Sequence, residues 1–62
     1  MSPAELIGSL EILNLNKSEA ARLLGVDYRT VHRWSQGEQE IPRAVALLLR
    51  IMIRFKVSPN EI

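Results

Sequence analysis

The segment at residues 28–36 (YRTVHRWSQ) has side chains suited to contacting a nucleic acid. On a helix, four polar side chains share the face opposite to Val31 and Trp34: Arg29, His32, Arg33 and Gln36. That face has two guanidinium groups, an imidazole and an amide, and it has no acidic residue. Arginine can bond to O6 and N7 of guanine as a pair, and glutamine to N6 and N7 of adenine. The sequence therefore predicts a helix that contacts base edges in the major groove of double-stranded DNA.

A second predicted helix precedes this segment and positions it. Its apolar face consists of residues at spacings of three and four: Ala20, Ala21 and Leu24. Asn16 precedes this run and Glu19 lies three residues further on, which is the spacing of a capping box. Gly25 predicts the end of the helix, because glycine adopts a left-handed conformation there at little cost.

The connection between the two predicted helices is very short. Asp27 is a suitable N-cap for the helix at residues 28–36, and Gly37 predicts the end of that helix. Helices joined so tightly must cross steeply with their backbones close together, and Ala21 supplies the small residue that such a crossing requires. Val26 is apolar and is predicted to pack under the turn. Residues 17–37 are therefore predicted to form two helices joined by a tight turn.

The residues that support a family assignment extend over nearly the whole chain: Leu13, Leu15, Asn16, Ala21, Gly25, Val31, Trp34 and the pair Pro42-Arg43. In type and spacing they resemble the lambda-repressor/Cro-like helix-turn-helix family of DNA-binding proteins. The resemblance implies an all-α, compact bundle of four to five helices with the helix-turn-helix at residues 17–37. It also implies that Lys17, the first residue of the helix before Gly25, contacts DNA.

The same resemblance implies a set of DNA-contacting residues. The expected base contacts come from Tyr28, Arg29 and Arg33. Thr30 and His32 are further candidates. The loop after the recognition helix and Arg43 are expected to lie against phosphates.

The chain departs from the family pattern at three places. Many members pair an arginine in the first helix with a glutamate after the tryptophan position, and here these positions are Leu10 and Ser35. Loss of both partners is compatible with an intact fold, because no buried charge is stranded. Many members of the family have a glutamine at the first residue of the helix before Gly25, and this chain has Lys17 there. The point charge of lysine suits a phosphate better than a base. The loop after Gly37, often basic in relatives, carries Glu38 and Glu40.

Length and composition restrict the function classes. The 62 residues are expected to form a single domain, residues 1–62, and a 47% apolar fraction is that of a folded protein. The sequence has no cysteine and one histidine, so we expect no disulfide, metal site or cofactor. It shows no signal-peptide pattern and no stretch suited to spanning a membrane, so we expect a cytoplasmic location. An enzyme is disfavoured, because no acid/base pair, activated nucleophile or phosphate-binding loop is apparent.

Two further helices are predicted on either side of the central pair. The first covers residues 2–13, with Ser2, Pro3 and Glu5 as its start signal. Its inward side chains are predicted to be Leu6, Leu10 and Leu13, with Ile7 beside them. The other helix opens at Pro42 and runs to about Phe55. Its inward side chains are predicted to be Val45, Leu48, Leu49 and Met52.

A second apolar stripe on the last helix has no predicted partner within the chain. It consists of Ala44, Leu47, Ile51 and Phe55. One hypothesis is a homodimer that buries Leu47, Ile51 and Phe55; the other is that Phe55 and Val57 fold back and cover the stripe. Residues 58–61 repeat a helix-start signal, which predicts either a final turn or a helix that continues beyond this sequence.

Two functions of different classes are therefore considered. The first is a sequence-specific DNA-binding protein, a small transcriptional regulator of the repressor type that acts as a dimer. All lysines and arginines lie at or after Lys17, which favours it, although the net charge is only +1. The alternative is an antitoxin-like interaction module that binds a partner protein through the apolar last helix, which the acidic loop favours. DNA binding must weaken steeply with salt, whereas apolar partner binding should not.

Overall fold

The computed structural model describes residues 1–55, and within them it contains four α-helices and no β-strand. The helices are α1 (Pro3–Ile12), α2 (Lys17–Leu24), α3 (Tyr28–Gln36) and α4 (Arg43–Arg54). The radius of gyration is 10.5 Å, about the value expected for a folded chain of this length. None of the helices described is long and apolar enough to cross a membrane. The prediction for residues 58–61 and the predicted fold-back of Val57 lie outside the described residues.

Helix α1 begins with the predicted capping box. The Ser2 hydroxyl accepts a hydrogen bond from the Glu5 backbone N–H at 3.1 Å, and the Glu5 carboxylate accepts one from the Ser2 N–H at 3.0 Å. The helix is one residue shorter at each end than the predicted 2–13. Leu6 and Leu10 are buried as expected, whereas Ile7, predicted beside them, is 41% exposed. Ile7 lies about 100° round the helix from Leu6, which is far enough to leave the buried face.

Helices α2 and α3 are joined by only three residues, as predicted. The Asn16 side chain accepts a hydrogen bond from the Glu19 N–H at 2.7 Å, which confirms the second capping box. Gly25 ends α2 in the left-handed conformation with φ 70°. The Val26 N–H then donates to the Ala21 carbonyl at 3.0 Å, and this bond closes the helix end. Asp27 occupies the N-cap position of α3 as predicted, and its side chain makes no capping hydrogen bond.

The core lies where α3 packs against α1 and α2. Its largest fully buried side chains are Leu6, Val31, Trp34, Leu49 and Met52. Partly buried side chains pack round it: Met1, Leu13, Leu15, Leu24, Val26 and Val45. The Trp34 indole is 2% exposed, and its N–H finds no hydrogen-bond acceptor among residues 1–55. Trp34 therefore stabilises the fold through apolar contact area, and α3 is anchored by its inner face.

Helix α4 buries one face and exposes another that is largely apolar. Ala46, Leu49 and Met52 are buried. Leu48, predicted to face inward, is 37% exposed because it lies about 100° round the helix from Leu49. It joins the predicted outward stripe, and we name the combined surface the α4 apolar face: Ala44, Leu47, Leu48, Ile51 and Phe55. The burial of Ala46 was not predicted from the sequence.

Candidate nucleic-acid interface

Helix α3 turns its polar side chains to solvent because its opposite side is fixed in the core. Val31, Trp34 and Ser35 are its buried residues. Ser35 is 7% exposed, and its hydroxyl donates a hydrogen bond to the His32 carbonyl at 2.6 Å. Leu10, at the position where many members of the resembled family have the partner arginine, is 5% exposed. Both replacements therefore leave the core without a stranded charge or hydroxyl.

The outward side of α3 carries the predicted DNA-contacting side chains. We name this set the α3 polar face: Tyr28, Arg29, His32, Arg33 and Gln36. All five are exposed, Tyr28 by 49%, whereas Thr30 is only partly exposed. No acidic residue lies between residues 28 and 36, so the two guanidinium groups have no carboxylate on their own helix. Their donors are consequently free of ion pairs within α3.

Contacts along and between helices bring three of the predicted residues together. The Tyr28 and His32 rings are stacked, with centroids 6.2 Å apart and an interplanar angle of 12°. The Lys17 ammonium at the start of α2 lies 3.3 Å from Nδ1 of His32. The Tyr28–His32 contact follows from the four-residue helical spacing. The Lys17–His32 contact spans 15 residues and depends on how α2 crosses α3, so no local sequence signal indicated it.

Arg43 and the loop before it form a separate part of the surface. Arg43 is exposed at the first position of α4, and no hydrogen bond or ion pair joins it to the α3 polar face within residues 1–55. Glu38 and Glu40 are exposed in the loop. The Glu38 N–H donates to the Arg33 carbonyl at 3.0 Å and closes the end of α3. That N–H is therefore not available to donate a hydrogen bond to a phosphate, against which the loop was predicted to lie.

A shallow cavity lies at the C-terminal end of α3, beside the loop just described. Its volume is about 210 Å³, and it is lined by Met1, Pro3, Trp34, Gly37, Gln39, Glu40 and Ile41. Gly37 has φ 75°, and a Cβ added there would lie 3.5 Å from Pro3 Cγ, so its role is conformational. The lining holds none of the predicted DNA-contacting side chains.

The α3 polar face offers donors in excess. Guanidinium groups have five N–H donors each and no acceptor, and the glutamine amide and the imidazole can donate and accept. Such a surface is complementary to an array of acceptors and negative charges. No family model matches the chain, and neither a curated protein nor a solved structure shows a match to it.

Proposed function

We propose that this protein is a sequence-specific double-stranded DNA-binding protein, and that α3 is its recognition helix in the major groove. In this proposal α2 and α3 form a helix-turn-helix of the lambda-repressor/Cro-like kind, in a small transcriptional regulator. The observation that carries the proposal is the α3 polar face, which exposes two arginines, a histidine and a glutamine on a helix without acids. The resemblance to the helix-turn-helix family is a prediction from the sequence, separate from this observation.

The dimensions of α3 suit this role. A helix of nine residues is about 13 Å long, and the major groove of B-DNA is about 12 Å wide. Arg29 and Arg33 lie one turn apart and contact successive base pairs, each able to take guanine O6 and N7. Gln36 has the amide geometry that suits adenine. Tyr28 and Thr30 lie at the margins of the face, where the neighbouring acceptors are phosphates.

Further phosphate contacts come from outside α3. Lys17 begins α2, and Arg43 begins α4, and both are placed at helix N-termini, whose partial positive charge also favours an anion. Against these, Glu38 and Glu40 repel the phosphate backbone. The formal net charge of +1 means that non-specific attraction is weak. Binding therefore depends on base contacts more than on bulk charge.

Selection of bound sequences from a random duplex pool tests the proposal. The expected result is enrichment of a motif with guanines at the positions contacted by Arg29 or Arg33. Affinity for the winning sequence should fall steeply as salt rises, because bound arginines and lysines displace counterions. The Arg29→Ala variant should then relax the preference at one base position.

A charge-matched variant separates this effect from a general loss of positive charge. Arg50 lies 4.0 Å from the Glu5 carboxylate on the α1–α4 side, so Arg50→Ala is the control. It should leave the selected motif unchanged. If no motif is enriched, or if Arg29→Ala and Arg50→Ala behave alike, α3 is not the recognition helix.

The α4 apolar face favours self-association as a second element of the function. Leu47, Ile51 and Phe55 are 45%, 52% and 67% exposed. Large apolar side chains in one stripe favour burial against a partner, and in a two-fold dimer the same stripe serves both copies. A homodimer through this face would bind a two-fold DNA site with half-sites about 34 Å apart.

Sedimentation of the wild type and of Ile51→Glu tests the homodimer. The wild type should associate with rising concentration and with little dependence on salt, and Ile51→Glu should remain a monomer. Arg29→Ala, which alters the other exposed face, is the control and should associate like the wild type. A wild type that stays monomeric at high micromolar concentration contradicts the homodimer. If that monomer also enriches no DNA motif, the antitoxin-like module that binds a different protein through α4 becomes the better proposal.

A further inference from the structure

The imidazole of His32 is held by contacts from two helices. Lys17 of α2 places its ammonium 3.3 Å from Nδ1. Tyr28, one turn earlier on α3, stacks its ring on the imidazole with centroids 6.2 Å apart and nearly parallel planes. Ring pairs at this separation attract one another. The two contacts act on different parts of the ring, so together they restrict both its plane and the direction of its nitrogens.

The contact with Lys17 determines where the proton of a neutral imidazole lies. A lysine ammonium has three N–H donors and no acceptor, so Nδ1 of His32 accepts the hydrogen bond. The ring proton is then on Nε2, since a neutral imidazole has one donor and one acceptor nitrogen. We propose that Lys17 fixes the Nε2–H tautomer of His32 and that His32 thereby meets DNA as a hydrogen-bond donor.

The tautomer decides which DNA atoms His32 is able to contact. Nε2 lies across the ring from the nitrogen that Lys17 occupies, and it has no hydrogen-bond partner among residues 1–55. Its N–H requires an acceptor, which is a purine N7, guanine O6, thymine O4 or a phosphate oxygen. The amino groups of cytosine and adenine offer only donors and are excluded. This inference rests on the proposed function, since it specifies what one residue of the α3 polar face contacts.

Lys17 thus acts as a positioning residue for His32 as well as a positive charge near the phosphates. A long side chain fixed by one hydrogen bond gives up rotamer freedom, and the Tyr28–His32 stack offsets part of that cost by holding the acceptor still. Substitution of Lys17 should therefore change His32 itself, even in the absence of DNA. That expectation separates positioning from a simple phosphate contact.

Nitrogen NMR of the free protein tests the tautomer directly. The chain has one histidine, so its two ring nitrogens are assigned without ambiguity. At about pH 9, where histidine side chains are neutral, the wild type should show a protonated Nε2 and an Nδ1 shifted by accepting a hydrogen bond. Lys17→Met, which keeps the aliphatic stem, should return both signals to those of a solvent-exposed imidazole. Lys17→Arg, which restores a donor, should retain the wild-type pattern.

Identical signals in the wild type and Lys17→Met overturn the positioning role of Lys17. So does a wild type whose Nδ1 carries the proton. A protein that binds no DNA still gives this NMR result, so failure of the proposed function and failure of the tautomer assignment are distinguishable.

Modified DNA identifies the acceptor. His32→Ala should weaken binding to the selected sequence about fivefold, the scale of one neutral hydrogen bond. In one set of arms a base analogue removes a single acceptor: a 7-deazapurine removes N7, 2-aminopurine removes guanine O6, and 5-methyl-2-pyrimidinone removes thymine O4. In the other a methylphosphonate removes the charge of a single phosphate. The substitution at the contacted atom should weaken the wild type about as much, and it should add nothing to His32→Ala. If every substitution weakens His32→Ala and the wild type equally, or if His32→Ala binds as the wild type does, His32 donates no hydrogen bond to DNA.

Discussion

Helices α3 and α4 are built alike on the inside and differently on the outside. Each buries three residues: Val31, Trp34 and Ser35 on α3, and Ala46, Leu49 and Met52 on α4. The α3 polar face then presents donors and positive charge, whereas the α4 apolar face presents Leu47, Leu48, Ile51 and Phe55. The buried residues account for the position of each helix. The exposed residues account for what each helix is able to bind.

The contrast leads to different physical behaviour at the two surfaces. Contacts from guanidinium groups to phosphates and bases are screened and displaced by ions, so they weaken as salt rises. Burial of apolar side chains releases no counterions and depends little on moderate salt. One molecule thus carries two surfaces whose occupancy can be separated by ionic strength alone. The proposed dimer on DNA would use both at once.

The largest expected effect tests whether the α4 apolar face belongs to the core. Leu49→Ala should lower the free energy of unfolding by about 2–5 kcal/mol, because Leu49 is fully buried and truncation leaves a cavity. Leu47→Ala and Leu48→Ala should each change it by less than about 0.5 kcal/mol. Urea unfolding at low protein concentration, where association does not contribute, measures all three. A cost for Leu48→Ala similar to that of Leu49→Ala would place Leu48 in the core after all.

The next effect separates base contacts from phosphate contacts on the proposed DNA-binding side. Arg29→Ala should cost about 1–3 kcal/mol of binding free energy and relax the preference at one base position. Arg43→Ala should weaken all sequences alike and reduce the salt slope by about 1, since Arg43 lies apart from the α3 polar face. Titration of the selected sequence and of single-base variants at several salt concentrations gives both quantities. Sequence-dependent losses with Arg43→Ala would assign a base contact to it.

Much of the fold could be predicted because its signals are local. The Ser2–Glu5 and Asn16–Glu19 capping boxes and the left-handed Gly25 depend only on neighbouring residues, and all three are present as predicted. Leu48 was misplaced because its exposure depends on the rotation of α4 about its own axis. That rotation is set by packing against α1, which a single-helix pattern does not contain.

The candidate site was predicted in composition but not in arrangement. The exposed residues of α3 follow from Val31 and Trp34, since the face opposite to two buried side chains is exposed. The Lys17–His32 contact joins residues on different helices and depends on the crossing of α2 and α3. The missing side-chain bond of Asp27 depends on a rotamer, which sequence spacing does not specify.

A smaller effect tests whether the acidic loop weakens DNA binding without affecting self-association. Replacing both Glu38 and Glu40 by glutamine should tighten DNA binding by about 0.5 kcal/mol, the scale of exposed charge interactions, and the gain should vanish at high salt. Self-association through α4 should not change. Glu11→Gln, on the exposed side of α1, is the matched control for loss of a negative charge. The loop variant removes two negative charges and Glu11→Gln removes one, so a gain with Glu11→Gln half that of the loop variant would indicate a net-charge effect rather than proximity of the loop to phosphates.

The smallest effect concerns the charge of Glu5 in the capping box that begins α1. The backbone N–H of Ser2 donates to Glu5, and this bond, with the Ser2 hydroxyl, the N-terminal charge and Arg50, holds the pKa of the Glu5 carboxyl below its ordinary value of 4.5. A carboxyl whose pKa is lowered on folding stabilises the protein above its ordinary pKa, and this contribution disappears as pH falls through the lowered value.

Glu5→Gln should therefore lower the urea midpoint at about pH 7, and its effect should shrink as pH falls through the lowered pKa and the wild-type carboxyl becomes protonated. Glu11→Gln on the same helix controls for charge removal outside the capping box. Neither the α3 polar face nor the α4 apolar face contains a carboxylate. The acid response of Glu5 therefore reports mainly on the capping box that begins α1, with a smaller part from Arg50 of α4. A loss that stays the same across this pH range would mean that Glu5 does not act through its charge.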